Sequence, residues 1–146
     1  MSESDSGAPV PIAPNLQSSL LCDDVRQERN GKFILIGLFD SIAAQQFPLR
    51  TPRLFMVTRW CSGEGNFVQK TRILKPDLSE ALVEGRHIPF KLVSTEATVT
   101  NVEVFLNVQF EVEGTYWVEI FLDGDMIIRY PLGARIAKAP PSSPAL

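Results

Sequence analysis

The stretch LCDDVRQERNGKFILIGLFDSI, residues 21–42, gathers Cys22, Asp23, Asp24, Glu28 and Asp40, side chains of the kind that ligate metals or exchange protons. Adjacent residues on a strand point to opposite faces, so at most one of Asp23 and Asp24 can meet Asp40. Calcium takes about six to eight converging oxygens, usually supplied from loops. Asn30-Gly31 is the dipeptide of a two-residue hairpin turn, and the cluster reads as a hairpin with charged shoulders. Asp123 and Asp125 flank Gly124 in the same chemistry; the alternative there is a calcium site at a hairpin tip, as in C2-like domains. His87 is the single histidine, and a general base needs a nucleophile and an orienting group beside it. One histidine with Cys22 and Cys61 gives too few ligands, wrongly spaced, for zinc. The GEG at 63–65 precedes no helix that could cradle a phosphate. The sequence therefore assigns no catalytic, cofactor-binding or metal residue, and it predicts neither an enzyme nor a cofactor.

The elements that would position such residues are strands. In VEVFLNVQFEV, alternation puts Val102, Val104, Leu106, Val108, Phe110 and Val112 on one face, and Glu103, Asn107, Gln109 and Glu111 on the other. In YWVEIFLDG, Tyr116, Val118, Ile120 and Leu122 share a face. The pattern predicts strands at 18–27, 32–41, 53–61, 66–74, 87–93, 101–112, 116–123 and 126–136, with turn signals between them. FILIGLFD, apolar on both faces, reads as a central strand. FVQKTRIL, with Lys70 and Arg72 to discourage edge pairing, reads as an edge. PDLSEAL is the one segment suited to a helical turn. The expected fold is all-β: an antiparallel two-sheet sandwich of about eight strands, immunoglobulin-like or C2-like. Gly114 two places before Tyr116 resembles the tyrosine corner of such sandwiches, in which the phenol hydroxyl bonds backbone just upstream.

Two surface features follow. Phe105, Trp117 and Phe121 fall opposite the core-facing sets of the two best strands, among Glu103, Asn107, Glu119 and Asp123. Large aromatics on a polar sheet face suggest a partner surface, unless segment 42–52 or 76–86 covers them. In one hairpin register Arg59, Lys70 and Arg72 share a face with Phe55. The chain's net charge of −3 argues against nucleic acid on that face, because phosphate binding needs a basic field.

Residues 1–15 and 138–146 are rich in Ser and Pro and read as disordered tails around a domain at 16–137. No apolar run approaches the ~20 residues of a membrane span. Residues 1–15 lack a signal-peptide pattern, and two unpaired cysteines then point to a cytoplasmic protein.

Asp24, Val25, Arg26 and Glu28, then Gly31, Lys32, Ile36, Gly37, Phe39 and Asp40, form one motif pair. Gly114, Tyr116, Ile120, Asp123, Gly124, Pro131 and Leu132 form a late hairpin ending in Pro-Leu. Together they resemble a family of small bacterial all-β proteins of unknown function. The resemblance implies a compact sandwich and brings no activity with it. The functional expectation is a non-enzymatic interaction module, homo-oligomeric or binding a protein partner through the aromatic face or an open edge. The alternative is a ligand-binding sandwich for carbohydrate, another small molecule or calcium.

Overall fold

The alternating segments form ten strands: β1 Asn15–Gln27, β2 Phe33–Phe39, β3 Ser41–Ala44, β4 Leu49–Cys61, β5 Gly65–Leu74, β6 Ala81–Glu84, β7 Ile88–Leu92, β8 Thr98–Phe110, β9 Gly114–Leu122 and β10 Asp125–Ile136. The structure, a computed structural model, describes residues 10–137. All eight expected strands are present. The two additions, β3 and β6, come from segments proposed as covers; each instead joins a sheet edge, β3 parallel to β10 and β6 antiparallel to β5. PDLSEAL makes no helical turn. Leu78 sits at φ 62, in a turn that feeds β6.

One sheet has the order β2-β1-β4-β8; the other has β3-β10-β9-β5-β6, with β7 also on β5. The chain therefore crosses between layers after β2, β3, β4, β7 and β8. This separates the basic residues grouped by the hairpin reading: Arg59 is on the four-stranded sheet, Lys70 and Arg72 on the six-stranded one. FILIGLFD proves to be an edge strand, because β1 uses its other side for β4. FVQKTRIL is interior, between β9 and the β6/β7 pair, and its inward residues Phe67, Gln69, Thr71 and Ile73 are buried.

The turns follow their glycines. Asp123 (φ 48) and Gly124 (φ 89) make the expected two-residue hairpin, with Leu122 opposite Asp125. The first hairpin instead has a three-residue loop: Gly31 N donates to Glu28 O (2.9 Å), and Glu28 N donates to Lys32 O (2.8 Å). Gly31, at φ 93, supplies the left-handed residue such a loop needs. The ordered chain also begins before residue 16. Ile12 exchanges two 2.9 Å backbone hydrogen bonds with Glu64, so part of the segment assigned to the first tail lies on the β4–β5 turn. Residues 1–9 and 138–146 lie outside the described residues.

Inside the sandwich, Trp60 stacks on Phe90 at 5.7 Å, and Phe110 meets Tyr116 edge-on at 5.0 Å and 83°. The tyrosine corner is formed: the Tyr116 hydroxyl donates to Val112 O at 2.8 Å, where the chain passes from β8 to β9. In β8 the alternation does not run through. The β4–β8 ladder keeps one register, with Thr51 opposite Val108 and Arg53 opposite Leu106, which sets Pro52 against Asn107. Proline has no N–H for the ladder, and Asn107 lies at φ 53. Both strands lose half a period in that row. Val108 and Phe110 face inward, but so do Phe105 and Glu103, while Val104 (46% exposed) and Leu106 (63%) face solvent.

Candidate functional site

The aromatic trio is divided by that phase change. Phe105 is a core residue, packed inside, and is no part of a partner surface. Trp117 and Phe121 do lie on the outer face of the six-stranded sheet, half-buried. Between them stands Glu119, 1% exposed despite its outward position. Register places Arg72 on one side of it and Arg129 on the other. Arg72 Nε donates to one carboxylate oxygen (2.6 Å); Arg129 Nε and Nη2 donate to the other (2.8 and 2.6 Å). Burial alone would raise this carboxyl; the hydrogen bonds and charges of Arg129 and Arg72 outweigh it and hold it below the usual carboxylate range. The Arg72 guanidinium also lies 5.0 Å over the Phe121 ring. Arg72 thus covers part of this face.

The four-stranded sheet also exposes apolar surface, as Met126, Ile127 and Ile128 do on β10 of the six-stranded one. The Glu28–Lys32 bond starts the β1–β2 ladder, so residues 34 and 36 bond inward to β1. Phe33 and Leu35 turn their N–H and C=O toward the open edge; Gly37, at φ 72 and without a ladder partner on β1, interrupts the alternation beyond them. Ile34 (42%), Ile36 (44%) and Leu38 (61%) are exposed beside that edge. One cross-strand row runs Leu38, Cys22, Phe55, Val104; Leu38 and Val104 in it are exposed and Cys22 is buried. The signal was present in sequence: FILIGLF has no polar position in seven. That pattern fits a doubly covered central strand and an uncovered sticky edge equally well.

A second buried carboxyl sits between the layers. Trp60 Nε1 and Asn101 Nδ2 each donate to Gln69 Oε1 at 2.8 Å; Gln69 Nε2 (3.3 Å) and Thr71 Oγ1 (2.6 Å) donate to Glu103 Oε1. Burial pushes the Glu103 carboxyl up, against the lowering effect of Thr71, Gln69 and the Arg86 charge. Sequence reasoning placed Glu103 outside, because it ran the alternation through Asn107.

The acidic residues of the opening motif do not converge. Asp24 bonds Arg26 Nε at 2.8 Å, and Asp23 packs against Gly37, where a Cβ would meet its carboxylate. Asp123 accepts from Val68 N at 2.8 Å, tying the late turn to β5. Among the described residues no group of three or more His, Cys, Asp or Glu is placed to hold a metal ion, and Cys22 and Cys61 are free.

A family profile for DUF6941, a family of unknown function, matches residues 17–135. The chain belongs to DUF6941. Among curated proteins no match is found. The match takes in nearly the whole sandwich, from the second residue pair of β1 to the end of β10. The β2 edge and both buried carboxyls therefore lie within the DUF6941 region.

Proposed function

We propose that the protein is a non-enzymatic interaction module that self-associates through the open edge of β2 and the apolar face beside it. The observation that carries this reading is the edge itself. Exposed apolar edge strands are templates for pairing, and proteins usually blunt them with charges, proline or a covering segment. Here charges stand only at the ends of β2, Lys32 and Asp40.

Those ends favour a second copy as the occupant. An antiparallel two-fold pairing centred on Ile36 sets Phe33 against Phe39, Leu35 against Gly37 and Ile34 against Leu38 of the other copy. Phe33 and Leu35 offer the outward backbone groups that such a pairing would use. Lys32 then meets Asp40 of the second copy at both ends. The free thiols of Cys22 and Cys61 suit a cytoplasmic setting for such a module.

Sedimentation equilibrium of the full chain tests this. The wild type should dimerise and Leu38→Lys should be monomeric, with the folded circular dichroism spectrum retained. Lys32→Asp and Asp40→Lys should each weaken the dimer, and combining them should restore it. A wild-type monomer at about 100 μM, or single charge reversals without effect, would remove the proposal.

A further inference from the structure

Between the free edge of β8 and the loop from β6 to β7 lies a pocket of about 410 Å³, within the range of small-molecule sites. We propose that it binds a small zwitterion of the amino-acid class, ammonium group inward on Glu103 and anionic group outward at Arg86. This inference uses a different sheet edge from β2 and is independent of self-association.

Glu103 is 9% exposed, and only half of its carboxyl is satisfied. Oε1 accepts from Thr71 and Gln69. No hydrogen bond from the described residues reaches Oε2, yet this atom is not among the fully enclosed unpaired ones; it opens on the pocket that Glu103 lines. A desolvated carboxylate with a free oxygen gains most from a charge-assisted donor delivered from solution. Gly85 keeps the space open, since a Cβ there would collide with Oε2.

The other facing groups narrow the ligand. Arg86 and His87, both exposed, stand at the rim, and the Arg86 charge reaches the Glu103 carboxyl. Glu84, also at the rim, is paired with Lys70 at 2.9 Å. Gln69 and Thr71 approach from β5 and are neutral. A simple cation would be opposed by Arg86, and a simple anion by Glu103. A molecule carrying both charges matches both groups, and the Ile88, Pro89 and Val102 walls favour an aliphatic side chain between them.

Calorimetric titration of the full chain with leucine, isoamylamine and isocaproate separates the cases. Leucine should bind, isoamylamine about tenfold more weakly, and isocaproate not at all. Glu103→Gln should weaken leucine at least about tenfold, and Arg86→Ala should bring leucine down to the isoamylamine level. Amide chemical shifts on leucine addition should move at residues 84–89 and 102–105, a readout on the wild type that needs no variant to fold. Absence of leucine binding, leucine affinity unchanged in Glu103→Gln, isocaproate binding as well as leucine, or shifts confined elsewhere would each overturn the proposal.

Discussion

Replacing Tyr116 by Phe removes one oxygen and tests how much the corner between the sheets contributes. The residue is 1% exposed, so the ring stays where it is and only the 2.8 Å bond to Val112 O is lost. The return contact from Val112 N, at 3.4 Å, is too long to add much. A net hydrogen bond of this kind is worth about 1 kcal/mol. Val112 is 55% exposed, so its carbonyl can turn to water and the loss stays near that value. In urea unfolding this is a midpoint shift of roughly 0.4 M; in thermal unfolding it is about 3–5 °C. Phe110→Leu, made in both backgrounds, separates hydroxyl from ring. The edge-on pair survives in Tyr116→Phe, so those two changes should add, whereas Tyr116→Leu with Phe110→Leu should show about 1 kcal/mol of coupling. If Tyr116→Phe unfolds within about 0.3 kcal/mol of the wild type, the hydroxyl does not hold the crossing and the reasoning fails.

Glu119→Gln should destabilise by about 2 kcal/mol, a buried-pair loss reduced because both arginines are partly in water; urea titration at neutral pH measures it. The lowered folded pKa of Glu119 makes its contribution full above the unfolded value and lost as pH falls through the folded one, so the variant should show a shallower acid loss. Glu103 has the opposite sign. Its raised folded pKa gives stability that is present below the unfolded value and lost as pH rises through the folded one. Urea midpoints for Glu103→Gln should therefore fall less than the wild type's between mildly acidic and neutral pH, and parallel curves would contradict the assignment. Gly31→Val should cost about 1–2 kcal/mol from backbone strain at φ 93, since a Cβ there meets nothing within 4 Å. A Gly31→Val melting curve that overlays the wild type would mean that the loop takes another conformation.

Local chemistry made much of this fold legible. Asp123-Gly124 carried its turn type in the dipeptide, and Gly114-x-Tyr116 marked the crossing between sheets. What local pattern could not carry was the partner of each strand. FVQKTRIL looked like an edge because Lys70 and Arg72 are charged, but its outward face is half-covered by ion pairs to Glu84 and Glu119 on neighbouring strands. FILIGLF looked central because both its faces are apolar, and an uncovered edge has the same composition. Of the aromatic trio, Trp117 and Phe121 were placed correctly on an outer face. Phe105 was not, because its side depends on a backbone irregularity shared with Pro52, more than fifty positions earlier in the chain.

That shared irregularity links the two candidate sites. Had β8 kept the phase of Val108 and Phe110, then Leu106, Val104 and Val102 would point into the core, and Glu103 would stand in water as an ordinary carboxylate. The same phase in β4 would turn Arg53 and Arg59 inward with no acidic partner, a cost far above that of one irregular row. Pro52 opposite Asn107 resolves the conflict for both strands at once without changing their register. The correction exposes Val104 and Leu106 and buries the carboxyl that opens on the β8 edge. One backbone feature thus bears on both proposals, turning Val104 out on the apolar side of the four-stranded sheet and Glu103 in beside its β8 edge.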